Sequence, residues 1–189
     1  MIEPRKLENA IVRLDPIEEA HREPVRALLT SDLDNWSMQT LSAVGEHFEP
    51  YWALMTSEAR RVTFAVFDKQ SGRLAGTSSF LGIDPKHRQA EIGYTFFHPD
   101  FRGTQANPAT KLLMLREAFA AGAVRVQFTV SAVNARSREA VLKLGARQDG
   151  ILRNHRITWQ GELRDTVVFS ILPDAWPEIE CALQERLEC

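Results

Sequence analysis

Apolar and polar residues alternate through the middle of the chain in the manner of β-strands. The alternation over residues 61–67 predicts a half-buried strand. The turn over residues 69–72 then leads into a hairpin partner over residues 73–83, and residues 89–97 predict another strand. Because the loops between these segments are short, the strands should form an antiparallel meander.

Before this meander the chain is predicted to hold one strand and two helices. Residues 9–14 indicate a strand. Asp15 and Pro16 are then suited to be the N-cap and first residue of a helix that ends near Leu29. The next stretch has no regular period until a second helix over about 45–56.

The second half of the chain alternates helices with strands. Residues 108–121 predict a helix with an apolar stripe, for which Asn107 would be the N-cap and Pro108 the first residue. The remaining predicted elements are a strand over 124–130, a helix over 135–144, strands over 147–156 and 164–172, and a last helix from about 174. A helical crossover should set the strands 89–97 and 124–130 parallel, which makes the fold class α+β with a mixed sheet.

Composition narrows the kind of protein. The 189 residues fit a single domain over 1–189, and 44% hydrophobic and 25% charged residues are ordinary for a globular protein. A net charge of −2 argues against non-specific nucleic-acid binding. No apolar run could span a membrane and no secretory leader is visible, so a soluble cytoplasmic protein is expected. Cys181 and Cys189 lack metal-site or disulfide-framework spacing, so we expect reduced thiols near a terminal helix and no metal.

One loop has the features of a phosphate site. The segment 101–108 lies between a predicted strand and a predicted helix, whose free N–H groups and dipole favour an anion. Gly103 allows the backbone to approach a ligand closely, and Arg102 adds positive charge. An ordinary helix start after an exposed turn would have the same residues, and the Gly-Lys-Ser/Thr ending of a kinase-type P-loop does not occur here.

Several segments share their residues and their order with one known family. They are Glu91-Ile92-Gly93-Tyr94; His98-Pro99-Asp100-Phe101-Arg102-Gly103-Thr104 with Lys111-Leu112-Leu113; Asn134-Ala135-Arg136-Ser137 with Leu144-Gly145-Ala146; and Arg164-Asp165-Thr166-Val167-Val168-Phe169-Ser170-Ile171 after Arg153 and His155. Together they resemble the GNAT acetyltransferase superfamily. The closing segment and the opening strand around Val12 are similar to its RimJ/RimL branch, which acetylates ribosomal-protein N-termini.

The resemblance implies a GNAT-like three-layer domain. Its central sheet would be mixed, mostly antiparallel, flanked by helices and splayed between its fourth and fifth strands. Acetyl-CoA would be the donor, with its pantetheine arm where these strands part and its pyrophosphate on the loop 102–107. The residues carried over as donor-binding are Phe96, Phe97, His98, Arg102, Gly103, Thr104, Gln105, Ala106, Asn107 and Asn134.

Three residues depart from the family's pattern. Gln105 and Asn107 stand where its phosphate loop usually has small residues. Gln105 then needs either a backbone angle that a Cβ tolerates or a left-handed one, which costs roughly 1–2 kcal/mol. Val141 stands where many members place a tyrosine general acid, so Ser137, near the thioester, is the predicted substitute.

Glu91 is the predicted general base. It should share a strand face with Thr95 and Phe97, unless a bulge shifts the register. A solvated carboxylate, or one paired with Arg88 or Arg61, is the alternative interpretation. An α-amine needs little help from a base, because about 10–15% of it is neutral at neutral pH, against roughly 0.04% of a lysine amine.

The other candidate side chains have structural interpretations beside the functional ones. Ser137 is the second predicted catalytic residue, or simply a polar residue of a first helical turn. Asn134 is also suited to be the N-cap of the helix 135–144. Aromatic residues that could line an acceptor pocket, although such residues are usually core, are Trp36, Tyr51 and Trp52. Residues expected to lie in the hairpin or on the solvated surface are His155, Arg136, Arg138, Arg153 and Arg156, of which one arginine could meet the CoA 3′-phosphate.

The predicted function is that of an N-acetyltransferase. Acetyl would move from acetyl-CoA to a primary amine by direct attack in a ternary complex, with protein N-terminal α-amines as the leading acceptors by resemblance. The alternatives are a small-molecule amine such as a polyamine, an amino acid or an aminoglycoside, a non-catalytic CoA-binding sensor, and a nucleic-acid binder. The expected partners are therefore the CoA donor and an amine, with no membrane or nucleic acid, and a homodimer stays an open option.

Overall fold

The computed structural model describes residues 2–188 and contains an eight-stranded mixed sheet. Its strands are β1 (Leu7–Glu8), β2 (Val12–Pro16), β3 (Val62–Asp68), β4 (Leu74–Asp84), β5 (Gln89–Phe97), β6 (Arg125–Ser131), β7 (Arg147–Ile157) and β8 (Leu163–Ile171). They lie side by side in the order β1-β2-β3-β4-β5-β6-β8-β7. β5 and β6 are parallel, as predicted, and the other neighbouring pairs are antiparallel.

Helices are packed against both faces of this sheet. They are α1 (Arg22–Leu29), α2 (Phe48–Ser57), α3 (Ala106–Ala120), α4 (Ala135–Lys143) and α5 (Trp176–Glu188). Phe96 belongs to a hydrophobic cluster with residues of α1 and α2, whereas Phe97 belongs to a second cluster with residues of α3 and α5. Because successive strand residues point to opposite faces, the two clusters lie on opposite sides of the sheet. The predicted three-layer α+β fold is confirmed.

The first helix starts later than predicted, and Asp15 and Pro16 do not begin it. Both residues belong to β2, where Pro16 pairs with Phe64 of β3. The strand pairing continues to Ile17, whose N–H donates to the Thr63 carbonyl at 2.9 Å. The backbone groups of these residues form their hydrogen bonds with β3, so they extend the strand and do not begin a helix.

Helix α3 starts two residues earlier than predicted, so Asn107 lies in its first turn and is not its N-cap. The Thr104 hydroxyl accepts from the Ala106 N–H at 3.2 Å and caps the helix from before Asn107. Gln105 is the N-cap, with φ −72° and ψ −10°. Gln105 thus adopts angles that any Cβ tolerates, and left-handed strain does not arise there.

A β-bulge in β5 changes which residues share a face. Thr77 of β4 pairs with Phe96, but Ser79 pairs with Gly93, so β5 holds one extra residue there. Tyr94 within the bulge has a φ of +49°. Residues beyond the bulge swap faces, and Phe97 joins the cluster on the side opposite Glu91. The expectation that Glu91 shares a face with Thr95 and Phe97 is therefore wrong, because a bulge shifts the register between them.

The sheet opens between β5 and β6. These strands pair only from Gln89–Arg125 to Glu91–Gln127, and beyond that point no pairing joins them within residues 2–188. β6 continues to pair with β8 as far as Ser131. The fourth and fifth predicted strands, which are β5 and β6, therefore diverge as expected.

The chain ends and surface add few constraints. Cys181 is an exposed free thiol on α5, whereas Cys189, like Met1, lies outside the described residues. Over residues 2–188, no helix combines the length and the apolar character needed to cross a membrane. No group of three or more His, Cys, Asp or Glu side chains in the same range could hold a metal ion.

Candidate active site

A cleft of about 740 Å³ opens where β5 and β6 diverge. One half is bordered by the loop 102–108 and the start of α4, and the other by α2 and the segment 35–41. Glu91 and Ser137 both line the cleft. The structure therefore brings the two predicted catalytic residues to one cavity, although they lie on different elements.

The loop before α3 presents free backbone N–H groups. Gly103 has a φ of +75°, a conformation that side chains disfavour. Among the described residues, no acceptor bonds the N–H groups of Gly103, Thr104, Gln105 or Asn107. With the positive end of the α3 dipole behind them, these groups can bind an anion. Of the predicted loop residues, Gln105 and Ala106 do not line the cleft by their side chains.

Arg102 is held by the protein itself. Its Nη1 donates to the Asp32 carboxylate at 2.5 Å and its Nε to the Phe97 carbonyl at 3.0 Å. The guanidinium lowers the pKa of the Asp32 carboxyl below its usual value, chiefly by this hydrogen bond. Arg102 therefore ties the loop to β5 and to the segment after α1, and its positive charge is already paired.

The predicted pantetheine-pairing residues differ in which backbone groups are available. The His98 N–H donates to the Ala75 carbonyl of β4 at 2.9 Å, so it points away from the cleft. The Phe96 carbonyl lies against Gly76 of β4. Phe97 alternates with these two, so its backbone groups point away from β4. Its carbonyl accepts from Arg102, which leaves its N–H available on the open side.

The N-terminus of α4 brings Asn134 and Ser137 together. The Asn134 Oδ1 accepts from the Ser137 N–H at 3.0 Å, which confirms its role as N-cap. Asn134 is buried and Ser137 is half-buried, and both line the cleft. Val141, one turn further on, is also buried in the lining and offers no hydroxyl.

Glu91 is oriented by two residues of β6. Its Oε1 accepts from the Thr129 hydroxyl and its Oε2 from the Gln127 amide at 3.5 Å. It forms no ion pair with Arg88 or Arg61 in the part of the chain that is described. The carboxylate is half-buried beside the point where the strands separate, so it could take a proton there.

The aromatic residues near the cleft serve mainly as core. Trp36, Tyr51 and Trp52 are all buried in the cluster under α1 and α2. The Trp36 Nε1 donates to the Leu29 carbonyl at 2.9 Å. Burial raises the pKa of the Tyr51 hydroxyl. Trp36 and Tyr51 also face the cleft, so they shape its wall as well as filling the core.

Sequence reasoning missed Lys111 as a feature of this cavity. Its side chain is buried, and its Nζ donates to the Ser78 hydroxyl at 3.0 Å and to the Thr95 hydroxyl at 2.6 Å. Burial lowers the pKa of this amine to about 7. The signal was visible in the sequence, because Lys111 interrupts the apolar residues of α3.

His155 and Arg164 belong to the hairpin of β7 and β8, and of the two only Arg164 lines the cleft. The pKa of the His155 imidazole is lowered by burial and by the nearby Arg156 and Arg164. Its Nδ1 is buried with no hydrogen-bond partner in the described chain. Arg164 lines the cleft and was predicted only as part of a hairpin motif.

Comparison with known proteins agrees with this geometry. A family model described as the acetyltransferase (GNAT) domain matches residues 12–147. YoaA of Bacillus subtilis, an N-acetyltransferase that is itself uncharacterized, is 29% identical over 121 residues, 64% of this chain and 68% of that protein. A T. thermophilus protein thought to be an acetyltransferase is 34% identical, with a TM-score of 0.88 over 98% of each chain.

A more distant structure has the same fold. RimJ of Mycobacterium smegmatis, in complex with CoA-disulfide, has a TM-score of 0.82 and covers 98% of this chain and 95% of that one. Its identity of 17% shows the fold alone. Since the family match spans well over half of the chain, the protein belongs to the GNAT acetyltransferase family and is an acetyl-transferring enzyme.

Proposed function

We propose that this enzyme transfers acetyl from acetyl-CoA to a primary amine by direct attack in a ternary complex. The observation that carries the proposal is the cleft between β5 and β6, which joins an anion-binding loop to a half-buried carboxylate. Acetyl-CoA supplies an activated acyl group and an anionic pyrophosphate. The cleft is bordered by the loop 102–108 on one side and by the segment 35–41 on the other, so donor and acceptor could bind at once.

The proposed binding of acetyl-CoA is supported by the loop before α3. The free N–H groups of Gly103, Thr104, Gln105 and Asn107 are suited to the pyrophosphate. The Phe97 N–H is the group on β5 that could pair with the pantetheine arm, since the Phe97 carbonyl already accepts from Arg102. The backbone groups of His98 and Phe96 face β4, so these two residues are proposed to border the pantetheine arm without pairing with it.

Glu91 is the proposed base. Its carboxylate accepts the amine proton, directly or through a water, while Thr129 and Gln127 hold its orientation. A positioned base is worth about 10²–10⁴-fold. A weak base is sufficient, because positioning the two reactants can lower the activation barrier by up to about 7–11 kcal/mol.

Ser137 is the proposed partner of the leaving thiolate. Its hydroxyl stands at the start of α4, where Asn134 fixes the backbone. The leaving thiolate belongs to a thiol with a pKa of about 8.5, so it can depart without a general acid. The weak donor Ser137 is therefore sufficient, although Val141 offers no hydroxyl.

The leading acceptor is an α-amine. Its larger neutral fraction suits a site whose proposed base is one carboxylate, Glu91, and the resemblance of the sequence motifs to the RimJ/RimL branch favours a protein N-terminus. A small-molecule amine is the second candidate. Arg61 and Arg164 line the half of the cleft bordered by α2 and the segment 35–41, called the acceptor half below, and could bind an anionic group of a small substrate.

The test is a CoA-release assay beside calorimetric titration of acetyl-CoA. Glu91→Gln should lower kcat about 10²–10⁴-fold with acetyl-CoA affinity unchanged. Glu178→Gln, an exposed carboxylate on α5, is the matched control. Binding of acetyl-CoA without release on any peptide or small amine would indicate a CoA sensor. Equal rates for Glu91→Gln and the wild type would remove Glu91 from the chemistry.

A further inference from the structure

Two arginines without carboxylate partners stand at the acceptor half of the cleft. Arg164 of β8 is half-buried, and its Nη1 donates to the Met38 carbonyl at 3.2 Å. Its Nε is buried and has no hydrogen-bond partner in the described chain. Arg156 of β7 pairs with Arg164 across the hairpin, and both line the cleft. Neither forms an ion pair with any described residue.

A third guanidinium is buried nearby and is only partly satisfied. The Arg61 residue is of intermediate burial, but its side chain is only 2% exposed. Its Nε donates to Glu58 at 2.5 Å, and its guanidinium lies 4.2 Å over the Tyr94 ring. Its Nη1 is buried and has no partner among residues 2–188. Arg61, Tyr94 and Arg164 all border the same half of the cleft.

The electrostatics of this half favour an anion. Burial lowers the pKa of the Arg164 guanidinium, and the neighbouring Arg156 lowers it further, while Glu91 acts in the opposite sense. Of the two guanidiniums without an ion pair, that of Arg164 is half-buried and that of Arg156 is exposed. A buried cation without a counter-ion is costly, and an anionic ligand group would relieve that cost.

We propose that the acceptor is a primary amine that also carries a carboxylate, and that Arg164, assisted by Arg156, binds this carboxylate while the amine faces Glu91. This inference rests on the proposed acetyl transfer and names the substrate class. The planar fork of Arg164 matches the two oxygens of a carboxylate. The same charge disfavours polycationic amines such as polyamines and aminoglycosides, since each extra ammonium would face the arginines.

The test compares acceptors with and without the carboxylate. Free amino acids are assayed against the corresponding amino acid amides, with acetyl-CoA saturating, by CoA release. The free acids should have the higher kcat/KM, and Arg164→Gln should reduce that preference roughly tenfold to a hundredfold through KM. Arg164→Lys should recover part of it, because it keeps the charge and loses the fork. Arg153→Gln, an exposed arginine of β7 outside the cleft lining, is the matched control.

Peptide acceptors identify where the carboxylate comes from. Two short amidated peptides, with Asp or Asn as second residue, separate an acidic side chain from the carboxylate of a small amine. A preference for the Asp peptide that Arg164→Gln removes would support the inference with a peptide source. A preference confined to free amino acids would support it with a small-molecule source.

Failure of this inference can be distinguished from failure of the proposed acetyl transfer. The inference is overturned if the carboxylate gives no advantage in either pair, free acid against amide or Asp peptide against Asn peptide, or if Arg164→Gln lowers kcat/KM equally for acceptors with and without it. In both of these cases the proposed acetyl transfer stands. If no amine of any charge releases CoA although acetyl-CoA binds, the proposed function itself fails, and the inference fails with it.

Discussion

Replacing Lys111 by methionine should change how the stability of the protein depends on pH. Lys111 is buried on α3, and its Nζ is bonded only to the Ser78 and Thr95 hydroxyls, with no described carboxylate as partner. Methionine fills a similar volume without charge. The two hydroxyls can then satisfy each other, since they lie 2.8 Å apart already.

The magnitude follows from the lowered pKa of the amine. In the folded protein the pKa is about 7, against 10.5 for an ordinary lysine. Between these values the unfolded chain binds more protons, so the stability of the wild type rises with pH by up to about 1.4 kcal/mol per unit. Below the folded pKa both states are charged and the burial penalty is fully present. From about pH 6 to about pH 9 the wild type should gain roughly 2.7 kcal/mol relative to Lys111→Met.

Urea unfolding of both proteins over that pH range measures the difference. Contributions of other titrating groups cancel, because the two proteins share them. Lys86→Met, at an exposed turn, is the control and should give a difference that is flat with pH. A flat difference for Lys111→Met as well would refute the reasoning, because the amine would then titrate alike in the folded and unfolded states.

Two further changes test local structure, each by urea unfolding. Asn134→Ala removes the cap of α4 and should cost about 1 kcal/mol, whereas Asn134→Asp, which can still accept from Ser137, should cost much less; equal losses would show that the cap is unimportant. Gly145→Ala should destabilise more than Gly122→Ala. Both glycines have positive φ, but only at Gly145 would the new Cβ meet Ile179, at 2.8 Å; equal effects would mean that this contact relaxes freely.

Much of the fold could be predicted from local pattern. The bounds of β5 match the predicted strand 89–97, and the ends of α1 and α4 agree within a residue. In these elements the apolar residues recur with a period of two or of about 3.6 residues, and that period can be read from neighbouring residues alone. The anion-binding loop also follows from local chemistry, because a helix N-terminus creates its own free N–H groups.

Where local signals competed, tertiary contacts decided the outcome. Asp15 and Pro16 favour a helix start, but pairing with β3 keeps them in a strand. The faces of β5 depend on the bulge at Tyr94, which is set by its register against β4. Strand register is a property of two segments, so one segment cannot fix it.

The sequence by itself determined the order of elements, the phosphate-type loop and Glu91 and Ser137 as candidates. Only the tertiary structure placed Arg164 of β8 and Arg61, the residue before β3, beside the same cleft. Only the tertiary structure buried Lys111 between two hydroxyls. The physical reason is that burial and charge pairing depend on groups distant in sequence, whereas helix and strand formation depend mainly on near neighbours.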